Sequence, residues 1–217
     1  MKTDLELKKD VEDELNWEPT VNAAHIGVAA NNGVVTLTGH IPSYAERWEA
    51  EGATKRVFGV AAVANELEVK LPGSSERSDE DIAAACVAAL KANYVVPDEK
   101  IKVVVRGKRV TLEGMVDWQH QRKAAMRAVR DILGVLSVTN DITVKPHASP
   151  NDVKQKIEQA LRRSAEIDAR RISVETHDGK VTLRGTVRAW TEKEEAEHAA
   201  WAAPGVTTVE NQINITY

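Results

Sequence analysis

The chain has 217 residues, a formal net charge of −4, 42% hydrophobic and 29% charged side chains, and one cysteine. That balance belongs to ordinary soluble globular protein and excludes a disordered chain, an internal disulfide and the basic excess of a general nucleic-acid binder. Residues 1–20 carry seven acidic side chains and no apolar run, so neither a secretory leader nor a membrane span is predicted. The expected location is the cytoplasm if Met1 is the native start, and the periplasm only if a signal peptide has been removed.

The first element predicted is a helix opened by a capping-box pair, Thr3…Glu6, with Leu7, Val11 and Leu15 on one stripe. Alternation at Ile26 and Val28 predicts a strand, the turn Asn31-Asn32-Gly33 reverses it, and Val35 and Leu37 start the returning strand. A second helix follows, with an inward stripe of Ala50, Ala53 and Val57, and ends towards Gly59, read as a left-handed C′ residue. A last strand carries Val63, Leu67 and Val69.

The same string then recurs. VTLTG at 35–39 returns as VTLEG at 110–114 and VTLRG at 181–185, at offsets of 75 and 71 residues. The same offsets carry Gly59 onto Gly134 and Gly205, and Asn65 onto Asn140 and Asn211. The helix stripe maps onto Ile82, Cys86 and Leu90, then onto Val153, Ile157 and Leu161. The caps map onto Ser78…Asp81 and Ser149…Asp152. The prediction is an α+β protein of three tandem αββαβ domains, each a three-stranded mixed sheet with two helices packed on one face. The units are placed at 1–72, 78–146 and 149–217. The second linker, Lys145-Pro146-His147-Ala148, is shorter than the first, so repeats two and three are expected to be the more fixed pair.

The V-T-L-x-G strand end, a helix of about twelve residues and then G-V-x-x-V-x-N-x-(I/L) stand whole in each copy. This combination resembles the BON (bacterial OsmY and nodulation) domain family. The resemblance implies the αββαβ fold and a stress-related, non-catalytic role in attachment to phospholipid or to other proteins.

Catalytic chemistry is not predicted. No two of the six histidines share a helix face, and no phosphate-loop, dinucleotide or nucleophile-elbow motif is present. Cys86 falls at a repeated apolar position and reads as a core hydrophobe. No cofactor or metal is expected. The motif residues Gly39, Gly114 and Gly185 read as structural, ending a strand where the backbone turns or approaches a neighbour. Asn65, Asn140 and Asn211 face the core by strand parity and are expected to tie down the loop before their own strand.

Charge is uneven. Residues 1–72 hold 7 basic and 12 acidic side chains, residues 73–148 hold 12 and 10, and residues 149–217 hold 10 and 11. The middle repeat is therefore best placed to meet an anionic phospholipid surface. Its second helix opens with Trp118 and carries Arg122, Lys123, Arg127 and Arg130. Tyr44 and Trp190 stand at almost the same place in their own repeats. These seven residues are the candidate contacts for a membrane or a protein client; each aromatic has a competing reading as a lid over the hairpin end.

Overall fold

The computed structural model describes residues 2–145, 153–164 and 168–216. Repeat one contains α1 (Asp4–Trp17), β1 (Ile26–Asn31), β2 (Val34–Ile41), α2 (Tyr44–Arg56) and β3 (Ala62–Val69). Repeat two contains α3 (Asp79–Ala92), β4 (Ile101–Arg106), β5 (Arg109–Val116), α4 (Gln119–Arg130) and β6 (Ser137–Val144). Repeat three contains α5 (Val153–Arg163), β7 (Ile172–His177), β8 (Lys180–Val187), α6 (Trp190–Trp201) and β9 (Thr208–Ile215).

Each sheet has its middle strand paired antiparallel to the first strand and parallel to the third. Among the described residues, three separate sheets result, and no strand pairs across a repeat boundary. The predicted αββαβ architecture is the one observed. Each sheet buries one face beneath its two helices, and each repeat has its own apolar core. In repeat one, Leu7, Val11 and Leu15 of α1 meet Val28, Val35, Leu37 and Leu67 of the sheet.

The capping boxes at Thr3/Glu6 and Ser78/Asp81 are both formed. The Thr3 backbone N–H holds the Glu6 carboxyl below the usual carboxylate range. The Ser149…Asp152 pair and the Pro146-His147-Ala148 stretch of the second linker lie outside the described residues. The hairpins use two-residue turns with positive φ at both positions: Asn32-Gly33, Gly107-Lys108 and Asp178-Gly179. Such turns match the twist of the strands they join. In two repeats the first residue of the opening helix holds this turn. Asp4 accepts from the Asn32 N–H (2.8 Å), and Asp79 accepts from the Gly107 and Lys108 N–H groups (both 2.8 Å).

Two sequence expectations are corrected. Gly59, Gly134 and Gly205 do take positive φ, but several residues beyond the helix end. The Val60 N–H donates to Val57, Val135 to Ile132 and Val206 to Ala203. Each glycine therefore fills the third position of a four-residue turn, where a type II geometry requires positive φ. The buried row of the second helix also runs one position round from the predicted stripe: Ala50 and Thr54, Ala125 and Val129, Ala196 and Ala200. Ala53 is buried as well, but its counterparts Ala128 and Ala199 are only half-buried. Spacing of i and i+4 keeps both side chains over one sheet. Thr54 fits that row because its hydroxyl donates to the Ala50 carbonyl (2.8 Å).

Candidate functional site

The repeated asparagines do not tie down a loop. The Asn140 side-chain amide donates to the Arg122 carbonyl in α4 (3.0 Å) and accepts from the Ile142 N–H (3.3 Å). Asn211 makes the same pair of bonds with Lys193 (3.1 Å) and Ile213 (3.2 Å), and Asn65 makes them with Arg47 (3.5 Å) and Leu67 (3.2 Å). A carbonyl in a helix has a second lone pair, so it can take this donor without losing its own ladder bond. The asparagine thus staples the second helix to the third strand. Strand parity located the side chain correctly; its partner lay on the helix packed over the sheet, 18 residues away, where the local sequence gives no clue.

Arg122 belongs to that staple. Its guanidinium donates to the Asn140 carbonyl (3.0 Å), as Arg47 does to the Asn65 carbonyl (2.8 Å). Arg130 is also engaged. It donates to Glu49 of repeat one (3.0 Å) and to Asp131 (3.1 Å), and lies 5.4 Å from the centre of the Trp48 ring. Lys123 and Arg127 are exposed, and among the described residues neither is paired with a carboxylate. Of the four predicted cations of α4, the structure leaves two facing solvent.

The aromatic candidates sit where repeats meet. Tyr44 packs against the core of repeat two, with its hydroxyl donating to the Val138 carbonyl (3.5 Å). Trp190, at the start of α6, lies 5.0 Å from Lys55 at the end of α2. Trp118 precedes α4, with the Gln121 side chain accepting from its backbone N–H (3.0 Å) and from that of Asp117 (3.1 Å). Its ring is stacked on His120 at 6.4 Å.

These contacts follow one rule. In each seam the start of one second helix meets the end of another: Tyr44 and Trp48 meet Arg130, Trp190 meets Lys55, and Trp118 and Gln119 face Trp201 across a groove. Arg130, Trp201 and Lys55 are the same position under the offsets of 75 and 71. The three repeats therefore close on one another with approximate threefold symmetry, helix two against helix two. Among the described residues, the Tyr44–Val138 hydrogen bond and the Glu49–Arg130 ion pair join repeats one and two, the Lys55–Trp190 contact joins repeats one and three, and a groove lies between repeats two and three.

That groove has a volume of about 430 Å³ and is lined by Trp118, His120, Lys123, Arg127, His198 and Trp201, with Gln119 and Ala202. Sequence reading found its α4 half and missed His120, His198 and Trp201. A signal was available: position 55/130/201 is a cation or a tryptophan in every repeat.

Cys86 is buried, and burial pushes its thiol up to about 11, which leaves it unreactive near neutrality. Among the described residues, no group of three or more His, Cys, Asp or Glu could hold a metal ion, and no helix is long and apolar enough to cross a membrane.

The BON domain model matches three times, at residues 3–70, 78–146 and 150–217. The chain belongs to the BON domain family. Its three tandem BON repeats are similar to Osmotically-inducible protein Y of Escherichia coli strain K12, at 32% identity over 143 residues, covering 62% of this chain and 71% of that protein. Among solved structures, the chain is similar to the C-terminal domain of CdsD, a structural protein of the Type III secretion system of Chlamydia trachomatis. That likeness has 15% identity and a TM-score of 0.27 over the whole of both chains. A second CdsD structure gives 16% identity and a TM-score of 0.26, covering 96% of this chain and 91% of that one. Values this low say nothing further about the BON chain.

Proposed function

We infer that this chain is a non-enzymatic, stress-related binding protein that docks weakly and reversibly on anionic phospholipid surfaces through its second BON repeat. The observation that carries the reading is the strip formed by Trp118, Lys123 and Arg127. Both cations there are exposed and unpaired among the described residues, beside a tryptophan that is 43% exposed. An indole suits the headgroup zone, where its ring and its N–H each find a suitable medium. Family membership and the relative induced by osmotic conditions support the stress-related part.

Each free cation near an anionic surface contributes about 1 kcal/mol, screened by salt. With Arg122 and Arg130 engaged inside the protein, the strip supplies about 2 kcal/mol plus what the indole adds, which is weak attachment without a second anchor. Sedimentation with anionic and neutral liposomes tests it. The intact chain should pellet with anionic liposomes at low salt and be released at high salt, and Lys123→Glu combined with Arg127→Glu should abolish pelleting. Equal, negligible binding to both liposome types would end this reading.

A second reading, a protein-interaction or chaperone-like stress factor, is favoured by large apolar side chains exposed away from that strip. Trp17 and Tyr94, near the ends of α1 and α3, are 84% and 99% exposed. Suppression of client aggregation at equal molar ratio would support it.

A further inference from the structure

Two of the six histidines meet across a strand pair rather than along a helix. His25 ends the single 3-10 turn before β1, and His40 lies in β2 one residue beyond Gly39, which pairs with Ile26. An added Cβ at Gly39 would run into the His25 carbonyl oxygen, so the close approach that this glycine permits sets the two imidazoles side by side. Their ring centres lie 5.1 Å apart, with planes 17° from parallel. Both residues are exposed, and among the described residues neither side chain is hydrogen-bonded.

The third strand adds a carboxylate. Glu68 of β3 is the parallel partner of His40. Their neighbours Leu67 and Ile41 are buried, so alternation puts His40 and Glu68 together on the open face of the sheet, away from the helices. Glu68 is only loosely engaged, 4.0 Å from the Lys70 ammonium with its side chain 75% exposed. The three side chains as they stand do not surround one point. Exposed side chains reach other rotamers at small cost, and the imidazole torsion is broad. An ion about 2.0–2.1 Å from one nitrogen of each ring puts tetrahedrally arranged ring centres roughly 5 Å apart, the separation already present. The combination is confined to repeat one. The same three positions are Lys100, Met115 and Thr143 in repeat two, and Arg171, Thr186 and Asn214 in repeat three. Repeats two and three thus carry a cation where repeat one carries His25. Repeat one is also the acidic repeat, so its field favours an incoming cation.

We propose that the open face of the first sheet binds a divalent transition-metal ion of the zinc class through His25 and His40, with Glu68 as the third ligand. Imidazole pairs select such ions over magnesium and calcium, which prefer oxygen. A bound ion clips the start of β1 to β2 and β3 and stabilises repeat one by mass action. The site shares no residue with the docking strip of repeat two and needs no membrane.

Isothermal titration calorimetry of the full chain with zinc chloride, without lipid, tests it. Saturable one-to-one binding is expected, and magnesium chloride should give none. His25→Lys installs the residue type that repeat two carries there, so the fold should tolerate it. Its zinc affinity should fall at least about tenfold, since even groups that only orient a ligand act on that scale. Glu68→Gln should weaken zinc by a smaller factor. In NMR spectra the imidazole C–H signals of His25 and His40, and of no other histidine, should shift as zinc is added. No saturable binding at millimolar zinc would overturn the assignment. So would zinc affinity unchanged in His25→Lys, or magnesium binding as tightly as zinc; affinity unchanged in Glu68→Gln would overturn the part given to the carboxylate.

Discussion

Replacing Gly114 by alanine is expected to unfold the second repeat. Gly114 lies in β5 opposite Ile101, with φ of +142°, and an added Cβ would run into the Lys100 carbonyl oxygen. Backbone in that region is almost reserved for glycine, and forcing another residue into it costs about 1–3 kcal/mol before any overlap is counted. The obstacle here is main chain, which cannot rotate aside as a side chain does. A unit of this size is stabilised by only about 3–5 kcal/mol from its own core, so the combined cost consumes most of it. Gly107→Ala is the control. Its φ is also positive, at +55°, but an added methyl meets nothing, so the loss should stay near 1 kcal/mol. Urea denaturation followed by circular dichroism should show an early transition for Gly114→Ala alone. Equal stability of the two variants would contradict the close strand approach.

Leu112→Ala should produce the second large effect. Leu112 is fully buried beneath α3 and α4, in a core with Ile82, Cys86, Val129 and Ile142. Truncating such a leucine costs about 2–5 kcal/mol, the transfer free energy plus the cavity left behind. The three cores are separate, so the loss should be local. Hydrogen exchange should accelerate in β4, β5 and β6, while amides around Val11 and Ile157 in the other two cores keep their protection. Uniform loss of protection across all three would mean that the repeats share one cooperative core.

Most of the fold was legible because its determinants are local or periodic. The stripe Ile82, Cys86, Leu90, the alternation of Val110 and Leu112, and the turn glycines each act within a few residues, and threefold repetition turned weak local patterns into one firm pattern. What sequence missed depends on where separated segments meet. Asn140 pairs with a carbonyl 18 residues away, and nothing in its neighbourhood names Arg122 as the partner. Arg130 reads as a solvated cation on its own helix, and only the closure of repeat two on repeat one brings Glu49 and Trp48 to it. The same closure brings His198 and Trp201 opposite Trp118. Charge patterning along α4 therefore identified the right helix and overcounted its available cations by two.

The engagement of Arg130 by Glu49 and Trp48, and the meeting of Trp190 with Lys55, depend on the three repeats closing through their second helices. Small-angle X-ray scattering of the full chain in dilute solution measures that closure. A closed arrangement of this length should give a radius of gyration of about 17 Å and a single-peaked pair-distance distribution. A markedly larger radius, with a shoulder at the spacing of separate repeats, would show a string of independent domains and contradict the closure.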